Sequence, residues 1–462
     1  MAEPGTDNLE VDSSFQRSSG VAVPHVVNLR GDRAGEETGG SIRPGQGAIK
    51  LVKADYRDRV MPHGRGAHLS WLGHPQLRTG ERGHRPATWF ELFYDLAFVV
   101  IVAEIGNLVV AKPSWRGVGE AVLLFVPAWW SWVGAVFYTT RFDADNDRAK
   151  RLIGTLQLVA LTLLAVSIAR GERIDLRAIA GAYALIRTLQ IFEIWRAGHY
   201  IAQARPLTRH FVLGDGLGVG LWWVGVALPS PWGAWLWGAG FLVEIATYLR
   251  GEHFKRDFPP HVSHLPERYG LFTTLVLGES FVGVVAGSAN RPANWSTGLL
   301  AALAVAATVA MWFIYFDRID IEAVTSLTNP DVASRRPFVV WLFAHLPIAF
   351  GLMLAGTGAA LLLHEQAARF RSVGPLIYIG GQVIYVLSEG VVCATAVGEG
   401  PPQLRLTHGV AVRIVSAAAL VPVAVGGWLT SSALLTVALS VAVLWSVVGY
   451  DYVRGRRAGV IE

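Results

Sequence analysis

HLPERYGLFTTLVLGESFVGVVAG occupies residues 264–287. It has the length of a membrane helix, which needs about 20 mostly apolar residues, yet Gly278-Glu279-Ser280 interrupts its middle. Glu279 follows Arg268 by roughly 16 Å at the helical rise, near the midplane of a hydrocarbon core about 30 Å thick. A carboxylate there costs about 2.5–3.5 kcal/mol on insertion scales and has to face protein or water. The stretch therefore reads as one crossing of a helical bundle with an ionisable group built into it.

The rest of the chain agrees. Of 462 residues, 52% are hydrophobic and only 16% charged, where a soluble domain carries about 25%. Mean hydropathy is +0.39, and 17 Trp and 50 Gly fit interfacial belts and close helix packing. The fold class is all-α, a polytopic transmembrane bundle. Cys393 stands alone, so no intramolecular disulfide forms, and it reads as a small packed residue. The net charge of +5 points to membrane orientation rather than to nucleic acid.

Residues 1–88 are rich in Gly, Ser, Pro and charge, with no long apolar run. They lack the apolar core of a secretory signal and read as a disordered cytoplasmic tail. Met61 is an alternative start. From 89 onward, twelve apolar stretches appear, near 89–110, 117–140, 150–169, 175–197, 208–228, 231–249, 268–288, 296–316, 337–363, 374–397, 405–426 and 429–450. The transmembrane domain is thus expected over 89–450, with halves at 89–250 and 267–450, before a short basic tail at 451–462. With the N-terminus inside, the inner loops and C-terminal tail hold more than twice as many Lys and Arg as the outer loops. Arg141, Arg196, Arg268 and Arg336 are among them. That bias places both termini in the cytoplasm.

An internal duplication is visible. FYTTRFDADND (137–147) ends the second stretch and MWFIYFDRID (311–320) ends the eighth, aligning Phe142-Asp143 with Phe316-Asp317. Tyr94 aligns with Tyr269, Leu96 with Leu271 and Glu104 with Glu279. PLTRH (206–210) resembles RLTH (405–408). Six helices per half would give both halves one orientation, related by an axis along the membrane normal. Chance likeness between apolar helices is the bland alternative.

Glu104 lies roughly 22 Å along its helix from Trp89, so it and Glu279 form the deepest acidic couple. Glu91, Asp95, Asp143, Asp145, Asp317, Glu193, Asp215 and Glu244 lie nearer the cytoplasmic ends, and Glu389 lies deeper. Asp95 and Glu104 fall on opposite faces of the first helix, which predicts that this helix is enclosed by others. The functional reading is a proton or cation path along Glu104, Glu279, Glu91, Asp95, Asp143, Asp145, Asp317 and Glu389. The structural reading pairs the acids with Arg187, Arg413, Tyr hydroxyls and Trp N–H groups that fix the bundle. His345 and His408 lack zinc-motif spacing and read as packing residues. Gly214-Asp215-Gly216-Leu217-Gly218 lacks the P-loop Lys-Ser/Thr and reads as helix packing. No nucleophile elbow or HExxH occurs, so no enzymatic activity, catalytic residue, metal or cofactor is expected.

WFELFYDLAFVV (89–100), FYTTRFDADND (137–147) and HLPERYGLFTTLVLGES (264–280), in this order, resemble the bacterial low temperature requirement A family over nearly all of residues 85–450. The resemblance implies a polytopic inner-membrane protein linked to growth in the cold. It carries the family's motif acids to Glu91, Asp95, Asp143, Asp145, Glu267 and Glu279. One departure is Asn146, where the family often has a second acid; here the acid follows at Asp147. The leading functional expectation is an ion- or proton-coupled secondary carrier using the midplane carboxylates. The alternative is a membrane-embedded sensor or scaffold for cold or stress adaptation, without transport. The expected partners are the lipid bilayer and a small solute, proton or cation.

Overall fold

The computed structural model describes residues 73–77, 87–143, 147–171, 175–251, 258–261, 263–289, 291–317, 336–364, 373–395 and 402–457. Twelve long helices fill these ranges: α1 Trp89–Ala111, α2 Trp115–Thr139, α3 Arg148–Ala169, α4 Leu176–Tyr200, α5 Arg205–Ala227 and α6 Trp232–Arg250. Then come α7 His264–Ser288, α8 Trp295–Phe316, α9 Arg336–His364, α10 Gly374–Thr395, α11 Pro402–Thr430 and α12 Ala433–Arg457. Ten are long and apolar enough to cross a bilayer; α4 and α6 fall short of that mark. The charges within α4, Arg177, Arg187, Glu193 and Arg196, account for its lower hydropathy.

Several helices start where a short polar side chain can satisfy the open backbone N–H groups of a first turn. Thr88, Ser114, Asp147, Asp175 and Asn294 cap α1, α2, α3, α4 and α8 in this way. Two boundaries depart from the apolar pattern. α7 begins at His264 rather than near 268, because Pro266 is tolerated in a first turn. α12 continues to Arg457, past the expected boundary at 450, because Asp451 returns inward to an arginine of α11.

α9 runs through the core and packs on α1, α2, α7, α8 and α10. It meets α10 at glycines: a Cβ on Gly358 would stand 2.3 Å from Tyr378 Cα, and one on Gly381 2.4 Å from Ala355 N. Small residues let two backbones approach this closely where lipid supplies no hydrophobic drive. α1 packs on α2, α3, α7 and α9, but Phe93, Leu96 and Val100 form an exposed stripe along it. This corrects the expectation that α1 is enclosed: its neighbours cover one side, and the open side is mostly apolar, as a lipid-facing stripe must be.

Within the stretch read as an N-terminal tail, two short pieces make specific contacts. Gln76–Leu77 (β1) pairs antiparallel with Phe142–Asp143 (β2). The Gly73 carbonyl accepts from Arg196 at 2.9 Å. Residues 1–72 and 78–86 lie outside the described residues.

Candidate functional site

Thr88-Trp89-Phe90-Glu91 forms a capping box. Glu91 N–H donates to Thr88 Oγ1, and Glu91 Oε2 accepts from Thr88 N–H at 2.8 Å. The box fixes the Glu91 side chain, with Asp95 one turn further on the same face. On α7, His264 and Arg268 are likewise one turn apart, and the two faces close on each other. Arg268 Nη2 donates to Asp95 Oδ1 at 2.5 Å, and Arg268 Nη1 lies 3.4 Å from Glu91 Oε1. His264 Nε2 stands 3.4 Å from Glu91 Oε1. Trp132 Nε1 of α2 donates to Asp95 Oδ1 at 2.8 Å. Glu267, on the next face, accepts from the Ala87 N–H at 3.0 Å. The buried acids of the first motif are therefore neutralised by the basic residues of the third.

A second chain of contacts runs beside it. Tyr94 Oη donates to Gln157 Oε1 at 2.6 Å, and Gln157 Nε2 donates to Glu193 Oε2 at 2.9 Å. Asp147 accepts from the Lys150 N–H as the cap of α3, and its carboxylate takes both terminal nitrogens of Arg196, one of them at 2.8 Å. Arg141 donates to the carbonyls of Phe258 and Phe137 and lies 3.7 Å from the Phe137 ring centre. Burial draws its guanidinium down to about 10, against the opposing pull of Tyr248. Arg141, Arg196 and Arg268 are buried. All three serve as internal ties rather than as the inner-loop charges their sequence positions suggest.

Each set of six helices has its own ion cluster. Arg187 of α4 donates to Glu244 of α6 at 2.9 Å and to Asp215 of α5 at 3.2 Å, and Tyr183 donates to Glu244 at 2.9 Å. Gly214 and Gly218, either side of Asp215, face Thr247 and Gly240 of α6, as the packing reading expects. Arg413 of α11 donates to Asp451 of α12 at 2.6 Å and is within electrostatic reach of the buried Glu389 of α10.

The deep couple behaves differently. Glu104 and Glu279 each stand fifteen residues after the first residue of their helix, Trp89 and His264. Both are half-buried and lie within electrostatic reach of each other. Glu279 lines a crevice of about 40 Å³ between α1, α7 and α9, with Asn107, Ser280, Thr357 and Gly356. Glu104 does not line it. Asp317 follows α8 at an exposed position, Asp143 joins the β pair through its backbone, and Asp145 lies outside the described residues. His345 is buried, with Nδ1 2.7 Å from the Trp341 carbonyl and Nε2 3.1 Å from Tyr315 Oη, as a packing residue would be. The His408 side chain lies outside the described residues. Among the described residues, no group of three or more His, Cys, Asp or Glu is placed to hold a metal ion.

The family model of the bacterial low temperature requirement A protein matches residues 86–447. The chain belongs to the low temperature requirement A family. It is also similar to the uncharacterized protein RA0937 of Rhizobium meliloti strain 1021, 22% identical over 331 residues, covering 69% of this chain and 78% of that protein. No solved structure matches.

In this low temperature requirement A protein, the first and third motifs meet as one buried ion cluster. The second ends in the strand that pairs with β1 and in the cap of α3. The acid displaced to Asp147 is held by Arg196 and by the α3 backbone. Sequence reading missed His264 and Arg268 as partners of Glu91 and Asp95. Pro266 was the available signal, because it moves the helix start upstream and puts both basic residues on one face. It also missed Asp451, Ser280 and Thr357, which carry no spacing signal.

Proposed function

We propose that this membrane protein is a secondary carrier coupled to a proton or cation, with Glu104 and Glu279 as the coupling groups. The supporting observation is that these two carboxylates stand fifteen residues into α1 and α7, within electrostatic reach of each other, with Glu279 lining a crevice between helices. Ionisable groups inside a membrane mark ion pathways by default. The reading includes twelve crossings of the cytoplasmic membrane, both termini inside, and no enzymatic activity.

A parallel six-helix repeat, read from the order in which neighbouring helices pack, belongs to the same reading. α1 packs on α2 and α3, α3 on α4, α4 on α5 and α5 on α6. In the same way α7 packs on α8 and α9, α9 on α10, α10 on α11 and α11 on α12. Aligning His210 with His408 sets Asp215 against Arg413, so the ion cluster recurs with its charges exchanged between helices. Halves of one orientation suit rocking about a midplane site.

The test is reconstitution into phosphatidylethanolamine–phosphatidylglycerol vesicles that enclose a pH-sensitive dye. The protein is expected to dissipate an imposed pH or sodium gradient faster than protein-free vesicles do. Glu104→Gln and Glu279→Gln are expected to return that rate to the protein-free level. Equal rates with and without the protein, or unchanged rates in both variants, overturn the reading. That result would favour the sensor or scaffold, for which the ion-paired Glu91, Asp95, Asp215 and Asp451 already speak.

A further inference from the structure

Ser280 is 2% exposed, and its Oγ has no hydrogen-bond partner. A buried helical serine ordinarily bonds back to the carbonyl four residues earlier. Thr274 and Ser288 of the same helix do so, at 3.0 and 2.7 Å. Ser280 instead lines the crevice beside Glu279. An unmatched hydroxyl in hydrocarbon is costly, so its orientation calls for a ligand.

The surroundings keep this hydroxyl and a second one clear. A Cβ on Gly356 would stand 2.7 Å from Ser280 Oγ, and a Cβ on Gly106 would stand 2.9 Å from Thr357 Oγ1. Glycine at both positions leaves room for the two hydroxyls, which come from α7 and α9. With the Glu279 carboxylate and the Asn107 amide, the crevice presents a set of oxygen donors from three helices. Oxygen donors of this kind suit hard cations rather than zinc or copper.

We propose that the crevice between α1, α7 and α9 binds one sodium ion, held by the Glu279 carboxylate, the Ser280 and Thr357 hydroxyls and the Asn107 amide oxygen. Its volume of about 40 Å³ admits one small ion with a water or two, since a single water needs about 10–15 Å³ on this measure. One lining carboxylate matches one positive charge, and Glu104 adds negative potential from outside the wall. Calcium takes 6–8 oxygens, commonly from several carboxylates, and the crevice offers one. A proton would engage Glu279 alone, whereas sodium uses the oxygen donors of all three helices.

This proposal rests on the carrier reading for its purpose, but its test does not depend on flux. The full-length protein in detergent is titrated with sodium chloride against choline chloride at constant ionic strength. Thermal unfolding and binding of radioactive sodium are both read. Sodium is expected to raise the melting temperature saturably and to bind once per chain, with potassium a weak competitor. Ser280→Ala and Thr357→Val should each weaken binding about tenfold, a loss of one ordinary contact, and Glu279→Gln should abolish it. In choline alone, Ser280→Ala should melt at or above the wild-type temperature, because the buried hydroxyl it removes has no partner. No sodium-dependent shift, or undiminished sodium binding by Ser280→Ala, overturns the proposal. A pH-dependent flux without sodium binding would also overturn it while leaving a proton-coupled carrier standing. Sodium binding without flux would support the site and remove the carrier.

Discussion

Arg268 Nη2 lies 2.5 Å from Asp95 Oδ1, and both side chains are almost fully buried. The contact joins the start of α7 to the start of α1. Glu91 stands on the same face as Asp95 and shares the guanidinium. Two motif segments far apart in the chain thus supply opposite charges to one enclosed cluster. Neither half of that buried cluster is stable without the other.

Replacing Arg268 by Met should therefore cost about 3–5 kcal/mol, the usual penalty for leaving a buried charge without its partner. Thermal unfolding in detergent reads it as a large fall in melting temperature. Adding Asp95→Asn to Arg268→Met should recover part of the loss, since the stranded charge goes with it. A double variant no more stable than Arg268→Met alone would mean that Asp95 is not the group Arg268 neutralises.

Arg413 and Asp451 allow a stricter test, because each donates or accepts directly across α11 and α12 at 2.6 and 3.2 Å. Arg413→Asp alone places like charges together and should severely reduce folded protein. Arg413→Asp with Asp451→Arg restores opposite charges on the same two helices. The exchanged protein should recover most of its yield and melting temperature. Recovery is also what the charge-exchanged arrangement around Arg187, Asp215 and Glu244 leads one to expect.

Asp147 does two jobs, capping α3 and pairing with Arg196. Asp147→Asn keeps a capping oxygen but removes the charge, whereas Asp147→Ala removes both. A lost cap costs about 1 kcal/mol, so Ala should be worse than Asn by about that amount. Hydrogen exchange at Arg148–Arg151 should rise more in the Ala variant. Equal protection in the two would show that the ion pair alone orders this turn.

All twelve helices were legible in the sequence because long apolar stretches have few alternatives once backbone groups must satisfy themselves. The errors occurred where charge lies inside a helix. Pro266-Glu267-Arg268 looks like a loop, yet it is the first turn of α7, since its charges are answered by Ala87, Glu91 and Asp95. Arg196, inside α4, misled in the same way, and Arg141, in the turn after α2, is buried although it stands between helices. The matching positions of Glu104 and Glu279, fifteen residues into α1 and α7, followed from counting along each helix. The ligation partners did not: Ser280 and Thr357 resemble ordinary back-bonding hydroxyls until the neighbouring helix is in place. Asp451 looked like the start of a tail for the same reason, its partner being on another helix.

The closeness of α9 and α10 gives a prediction with its own internal control. A Cβ on Gly358 would stand 2.3 Å from Tyr378 Cα and 2.5 Å from Tyr378 N, and neither backbone atom can step aside without moving its helix. Gly380 lies two residues from Tyr378 on α10, and a Cβ there meets nothing within 4 Å. Glycine is a poor helix former, so Gly380→Ala should be neutral or slightly stabilising, by up to about 1 kcal/mol. Gly358→Ala should gain the same helical preference and lose far more through overlap, since overpacking costs about 1–3 kcal/mol even where side chains can yield. The two variants should therefore shift the melting temperature in opposite directions. If Gly358→Ala melts like Gly380→Ala, the helices are further apart than this interface places them.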